Sequence, residues 1–338
     1  MNTGPSNTSN TSSSTLPTPA SKPPTRSRHW NWLEKFLPIL SLVLLFVALA
    51  ILSPHFLTLP NLSNVARRTA VINIMALGMT LIIISGGIDL SVGSVMAFSG
   101  IAGTMLLQAG LPLPVAILGA MVAGMAWGLI NSLLITQLRV SPFIATLGTM
   151  GAARGLTLVI TDGLPIVRLP RTFGFLGDGN LLQIIPVPLA ILLALAFLTG
   201  YILKFTRLGR YAFAIGSNRE AARYAGIPIT RYLIAIYCLA GAFTGMAAMI
   251  ASSRLMTGQP TAGQGYELSV IAAVVIGGGS LAGGEGSVSG TVVGAFIMSL
   301  ISNGSNLLGV SPFWQQVLIG SVIVFAVAVD ELRKRKQG

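Results

Sequence analysis

The chain has 338 residues, 53% of them hydrophobic and only 9% charged, with a formal net charge of +12 at pH 7. Soluble domains carry roughly 25% charged residues, so this composition excludes a compact soluble protein and makes lipid the solvent for most of the chain. The Lys and Arg side chains sit in the gaps between apolar runs, a pattern of membrane topology that argues against nucleic acid as a partner.

Residues 1–30 are rich in Ser, Thr, Pro and Asn and lack apolar residues to bury, which predicts disorder. No apolar core follows a short basic start, so this is not a signal peptide. The expected organisation is a disordered cytoplasmic tail over 1–34, a membrane-embedded body over 35–332 and a basic cytoplasmic tail over 333–338. A membrane helix needs about 20 apolar residues. That ruler gives ten spans: 36–53, 69–86, 91–108, 114–136, 143–161, 188–204, 230–252, 266–282, 287–306 and 312–330. The expected fold is therefore all-α and polytopic. Trp30 and Trp32 precede the first span, where an interfacial aromatic belt would stand. Only Gly86-Gly87-Ile88-Asp89 interrupts the stretch 69–108, which fits either two full spans or one span and a re-entrant segment. Residues 162–187 read as an ordered loop or short helix, and 205–229 as an amphipathic helix outside the bilayer. With the N-terminus inside, fifteen Lys and Arg residues fall on the inner side and five on the outer, with Arg154 inside a span. The bias puts both termini in the cytoplasm.

Candidate chemistry is sparse. There is no Gly-Lys pair, so the chain lacks a phosphate-binding loop of the nucleotide-hydrolysing kind. The run Gly277–Gly286 reads as a tight cytoplasmic turn between spans. One cysteine, Cys238, and two histidines, His29 and His55, leave no basis for a metal site. Gly86, Gly87, Asp89 and Ser91 form a candidate gate or turn, in which Asp89, helped by Ser91, is expected to cap the next helix. In 205–229, Ser217 and Asn218 offer N-caps, Glu220 suits the first turn, and Gly226-Ile227-Pro228 ends the helix. The polar residues within or beside spans that could line a path are Asn73, Thr80, Asn131, Arg154, Gln264, Glu267, Asn303 and Asn306, with Glu267 the expected partner of Arg154. Asn and Gln equally serve as ties between helices.

From about residue 36 to 330 the sequence resembles the permease subunits of ribose-type bacterial ATP-binding-cassette sugar importers. The resemblance lies in Ala76–Leu81, Ser85–Ser94, Phe143–Leu147, Arg154-Gly155, Thr206–Tyr211, Gln259–Gly263, Gly265–Leu268, Ile271–Val275, Ser280–Gly284 and Asn303-Gly304. It implies a multi-pass protein of the bacterial inner membrane that translocates a monosaccharide. It also implies a second permease copy (a homodimer), a cytoplasmic ATPase and a periplasmic or extracellular sugar-binding protein, besides membrane lipid. No cofactor is implied on this chain, ATP being bound by the partner subunit. The matching loop assigns Asn218, Glu220, Ala221, Ala222 and Gly226 to ATPase docking. The alternatives are a permease of the same class for a nucleoside or an amino acid, and an ion-coupled secondary transporter. The latter should show path-lining acids and a half-to-half repeat; only Asp89 and Glu267 qualify as acids, and the sequence shows no convincing repeat.

Overall fold

A computed structural model describes residues 28–335, together with residues 1, 2 and 4. The first half comprises α1 (Arg28–Leu52), α2 (Leu59–Ile84), α3 (Val92–Gln108), α4 (Leu113–Thr136) and α5 (Pro142–Thr161). A connector follows, holding a 3-10 turn (Arg171–Phe173), the short α6 (Gly174–Asp178) and a hairpin of β1 (Asn180–Leu181) and β2 (Ile185–Pro186). Then come α7 (Val187–Phe205), α8 (Arg207–Ser217), α9 (Arg219–Tyr224), α10 (Ile229–Leu255), α11 (Tyr266–Ile276), α12 (Val288–Leu307) and α13 (Pro312–Arg335).

Six of these helices are long and apolar enough to cross a bilayer: α2, α4, α5, α7, α10 and α12. Four shorter apolar stretches accompany them, Leu37–Leu52, Val92–Gln108, Tyr266–Ile276 and Pro312–Phe325. Together they match the ten segments read from hydropathy, and the chain is an all-α polytopic membrane protein. The helix starts obey local chemistry. Proline stands in the first turn of α2, α4, α5 and α7, where a missing N–H costs nothing. Ser287 accepts from Gly290 N at 3.1 Å to cap α12.

Four boundaries differ from the sequence reading. The second span begins at Leu59, not 69, because Thr58-Leu59-Pro60 starts a helix whose outer turns carry Arg67 and Arg68. The eighth is only the eleven residues of α11, since Gly277 and Gly278 (φ +88°) end it. The stretch 205–229 is two helices rather than one, broken at Asn218, whose backbone is extended. Finally, α1 starts at Arg28, inside the tail expected over 1–34; residues 3, 5–27 and 336–338 lie outside the described residues.

α2 and α10 are the buried axis, and α4, α5 and α7 are peripheral. The two halves pack alike. α2 packs on α12 as α10 packs on α4; α3 on α4 as α11 on α12; α3 on α10 as α11 on α2; α3 on α5 as α11 on α13. With each segment crossing once, α2–α5 and α10–α13 run in opposite senses. The fold thus holds an inverted repeat that the sequence does not display. α1 and α7 stand outside it.

Backbones touch where the halves meet. Gly124 and Gly241 face each other so closely that a Cβ on either would overlap the other's carbonyl. Gly128 abuts Tyr237 O in the same way, and Gly245 abuts Ala120 O. Ala120, Gly124 and Gly128 lie one turn apart on α4, so the seam is a small-residue stripe that lets two membrane helices approach at backbone distance.

Candidate functional site

The segment α8–α9, expected from the sequence to couple to an ATPase, lies at one end of the bundle. Asn218 caps α9 by accepting from Ala221 N at 2.9 Å. The helix closes with Gly226 N donating to Arg223 O at 3.0 Å and Ile227 N to Ala222 O at 3.1 Å, with Gly226 at φ +75°. This paired closure is the reason Gly stands at 226. Asn218, Glu220, Ala221 and Gly226 are exposed. Ala222 is not: it is buried with Ile215 and Leu233, against Tyr211 and Tyr232. Of the docking residues expected from the sequence, Ala222 therefore anchors α9 and cannot meet a partner directly. Tyr224, which the sequence reading passed over, is 90% exposed and stands one turn from Glu220. An aromatic left uncovered on a six-residue helix was the available signal.

The two interruptions, 85–91 and 256–265, are built from backbone. In the first, the N-cap of α3 is Ser91, whose side chain makes no capping bond. Asp89 does not cap α3 in the expected sense. Its Oδ1 accepts from Ser91 N at 2.8 Å and from Ser91 Oγ at 2.5 Å. Asn131 Nδ2 on α4 donates to Ser91 Oγ at 2.9 Å, and Thr149 Oγ1 on α5 donates to Asn131 Oδ1 at 2.6 Å. All four side chains are buried. A carboxylate is thus placed inside the fold by a hydrogen-bonded chain that ties α4 and α5 to the start of α3. Thr149 carried no sequence signal, because only the helix packing brings it to Asn131. Gly87 admits the Tyr237 hydroxyl, 2.6 Å from where its Cβ would stand, and that hydroxyl donates to Ile88 O at 3.4 Å.

In the second interruption, Arg154 on α5 donates from Nη1 to Pro260 O at 2.6 Å and from Nη2 to Ala262 O at 2.9 Å. The expected partner was Glu267. The guanidinium is bonded to loop carbonyls instead, and Glu267 supplies only a favourable field nearby. Gln264 is exposed and Glu267 half-buried. Glu267, in the first turn of α11, closes on Gly93 in the first turn of α3: a Cβ on Gly93 would come within 2.6 Å of its Oε2. The starts of two short helices therefore meet beside a carboxylate, an arrangement that suits their positive ends.

The remaining path candidates divide. Asn303 and Asn61 exchange amides, at 2.9 and 3.3 Å, tying α12 to α2. Asn306 Oδ1 accepts from Gln315 Nε2 at 2.7 Å, tying α12 to α13. Both bond across helices, as membrane-buried amides commonly do. Asn73 is fully buried on α2, with neither amide atom hydrogen-bonded. The structure brings Arg154 to the loop that leads into Glu267, and places Asn73 on α2 and Asn303 and Asn306 on α12.

At the opposite end, Arg67 bonds Gly177 O, Gly179 O and Asn180 Oδ1 in the 162–186 connector, and Arg254 Nη2 donates to Asn64 Oδ1 at 3.0 Å. Arg67 therefore fastens that connector to α2, and Arg254 ties α10 to α2.

Residues 61–327 match the family described as the permease component of branched-chain amino acid transport systems. The ribose import permease RbsC of Bacillus subtilis is 46% identical over 301 residues, covering 88% of this chain and 93% of that protein. RbsC of Escherichia coli K12 is 41% identical over 307 residues, 90% of this chain and 95% of its own. The L-arabinose permease AraH of Azospirillum brasilense is 34% identical over 96% of both chains. No solved structure matches. With the family model matched over residues 61–327 and relatives of this similarity over nearly their whole length, the chain belongs to the ribose-type branch of the ATP-binding-cassette importer permeases.

Proposed function

We propose that the chain forms the membrane path of an ATP-driven monosaccharide importer in the bacterial inner membrane, fed by a soluble binding protein and driven by a separate ATPase. The observation that carries this reading is the exposed α9, capped at both ends and presenting Asn218, Glu220, Ala221 and Tyr224 to a partner. That end, holding α8, α9 and most of the basic residues, faces the cytoplasm, with both termini on the same side. The membrane body takes in 35–332, and ATP is bound by the partner subunit.

The path lies between two copies of the chain. On α5, Gly148, Gly151 and Gly155 have open space around them and share an exposed stripe with Ala152. Arg154, Gln264 and Glu267 border the same face. Charged groups at membrane depth are costly against lipid and belong to a wet interior, so this face supports a second copy and a polar path beside it. The half-buried Glu267 and the exposed Gln264 supply acceptors and a donor for sugar hydroxyls. Sugar is favoured over a branched-chain amino acid because the relatives matched over about nine-tenths of the chain carry ribose, arabinose and allose in their names.

The test is reconstitution of the chain with its ATPase and binding protein in liposomes, followed by uptake of labelled ribose, arabinose, allose and leucine. ATP-dependent uptake of a sugar is the expected result. Uptake of leucine alone, or uptake that follows a proton or sodium gradient without ATP, would sink the reading. Copies carrying Gly155→Cys in a Cys238→Ala background should cross-link to each other. Failure to cross-link under oxidant removes the α5 face from the dimer.

A further inference from the structure

Three backbone segments meet where the coupling segment joins the bundle. α2 ends at Ile84, whose carbonyl accepts from Gly284 N at 2.9 Å. Gly216, in the last turn of α8, fits against both. A Cβ there would overlap Ile84 O and stand 2.6 Å from Gly284 N. A Cβ on Gly283 would stand 2.8 Å from Gly86 Cα and 2.8 Å from Gly216 O, and one on Gly284 would stand 3.0 Å from Ser217 Cα. Gly86, Gly283 and Gly284 also have φ of +78°, +90° and +76°, a region that favours glycine. Gly216 has no such demand. Its lack of a side chain serves the close approach alone.

The three segments belong to different parts of the machine. One is the 85–91 interruption that starts α3. One is the docking segment α8–α9. The third is the 277–287 turn between α11 and α12. A side chain between them would absorb a small shift by changing rotamer. Backbone atoms in direct contact have no such slack, because packed interiors transmit displacement.

We propose that Gly216 is a positioning residue of the transport cycle, the point where movement of the docking segment passes by backbone contact to the end of α2, where the 85–91 interruption begins, and to the 277–287 turn at once. This inference rests on the coupling role given to α8–α9 above.

The experiment uses the full chain with its ATPase and binding protein in liposomes. Gly216→Ala should lower the sugar moved per ATP hydrolysed about tenfold or more, since the added methyl forces the segments apart. Gly200→Ala, on α7 in open space, should transport normally. Hydrogen exchange on the unmodified complex gives a second readout that needs no variant to fold. Adding a non-hydrolysable ATP analogue should change protection at 85–91 and 277–287 together with 207–225. A wild-type transport ratio in Gly216→Ala overturns the inference alone. So does a response at 207–225 with either neighbouring segment unmoved. Absence of any response at 207–225 overturns the coupling reading, and this inference with it.

Discussion

Replacing Asp89 by Ala removes the terminal acceptor of the buried chain running from Thr149 through Asn131 and Ser91. Ser91 N and Oγ both donate to Asp89 Oδ1, and Ser91 is fully buried. A stranded buried donor costs about 1–3 kcal/mol; the hydroxyl can turn elsewhere while the N–H cannot, so Asp89→Ala should cost about 1–3 kcal/mol. Asn131→Leu deletes one donor to Ser91 Oγ and one acceptor for Thr149 Oγ1. Thr149 keeps Thr146 O at 3.2 Å, so this loss should be smaller, about 1–2 kcal/mol. Both substitutions act through Ser91, so the double variant should fall short of the sum by about 1 kcal/mol. The assay is unfolding of the purified chain in mixed micelles with increasing dodecyl sulfate, for the wild type, both single variants and the double. Additive losses would refute a coupled chain. An Asp89→Ala variant as stable as the wild type would refute the buried anchor itself.

Arg154→Lys should reduce uptake nearly as much as Arg154→Ala, because a point charge cannot span Pro260 O and Ala262 O as a planar fork does; recovery by Lys in an uptake assay would show that charge alone matters. Tyr224→Ala should lower co-purification of the ATPase about tenfold while leaving the permease folded, as loss of an exposed aromatic anchor does at other interfaces; unchanged pull-down removes Tyr224 from the docking face. Asn303→Ala should cost about 1–2 kcal/mol of stability by leaving Asn61 without its partner, with the KM for sugar unchanged; a raised KM with intact stability would return Asn303 to the path.

The number of apolar segments, the break near Asp89 and the caps of α9 were legible in the sequence because each is local chemistry. Hydropathy over about 20 residues, a Gly-Gly-x-Asp interruption and an Asn followed by an acid need no tertiary information. What escaped was whatever depends on distant segments meeting. Arg154 was matched to an acid because an embedded cation wants charge, and the carbonyls of Pro260 and Ala262 leave no trace in residue type. The bonds of Asn303 to Asn61 and of Asn306 to Gln315 likewise join different helices, which residue type does not announce. Ala222 belongs to a motif whose members sequence cannot divide into inward and outward. The inverted repeat was hidden for a similar reason. Packing constrains helix order and small-residue spacing, not residue identity, so the halves agree in architecture and differ in letters. Its presence also removes one argument used against ion coupling, and the choice between energy sources rests on the docking segment and the relatives.

The α4–α10 seam sets a limit on how access can change. Gly124 and Gly241 each receive the other's carbonyl, and Gly128 receives that of Tyr237, so carbonyls sit in the notches that the glycines leave. Sliding one helix along the other meets the next equivalent notch only after a full turn, about 5.4 Å. The pair is therefore keyed like a spline in its slot. It can tilt as one beam but cannot creep, so the compliance of the cycle must reside in the unwound stretches 85–91 and 256–265.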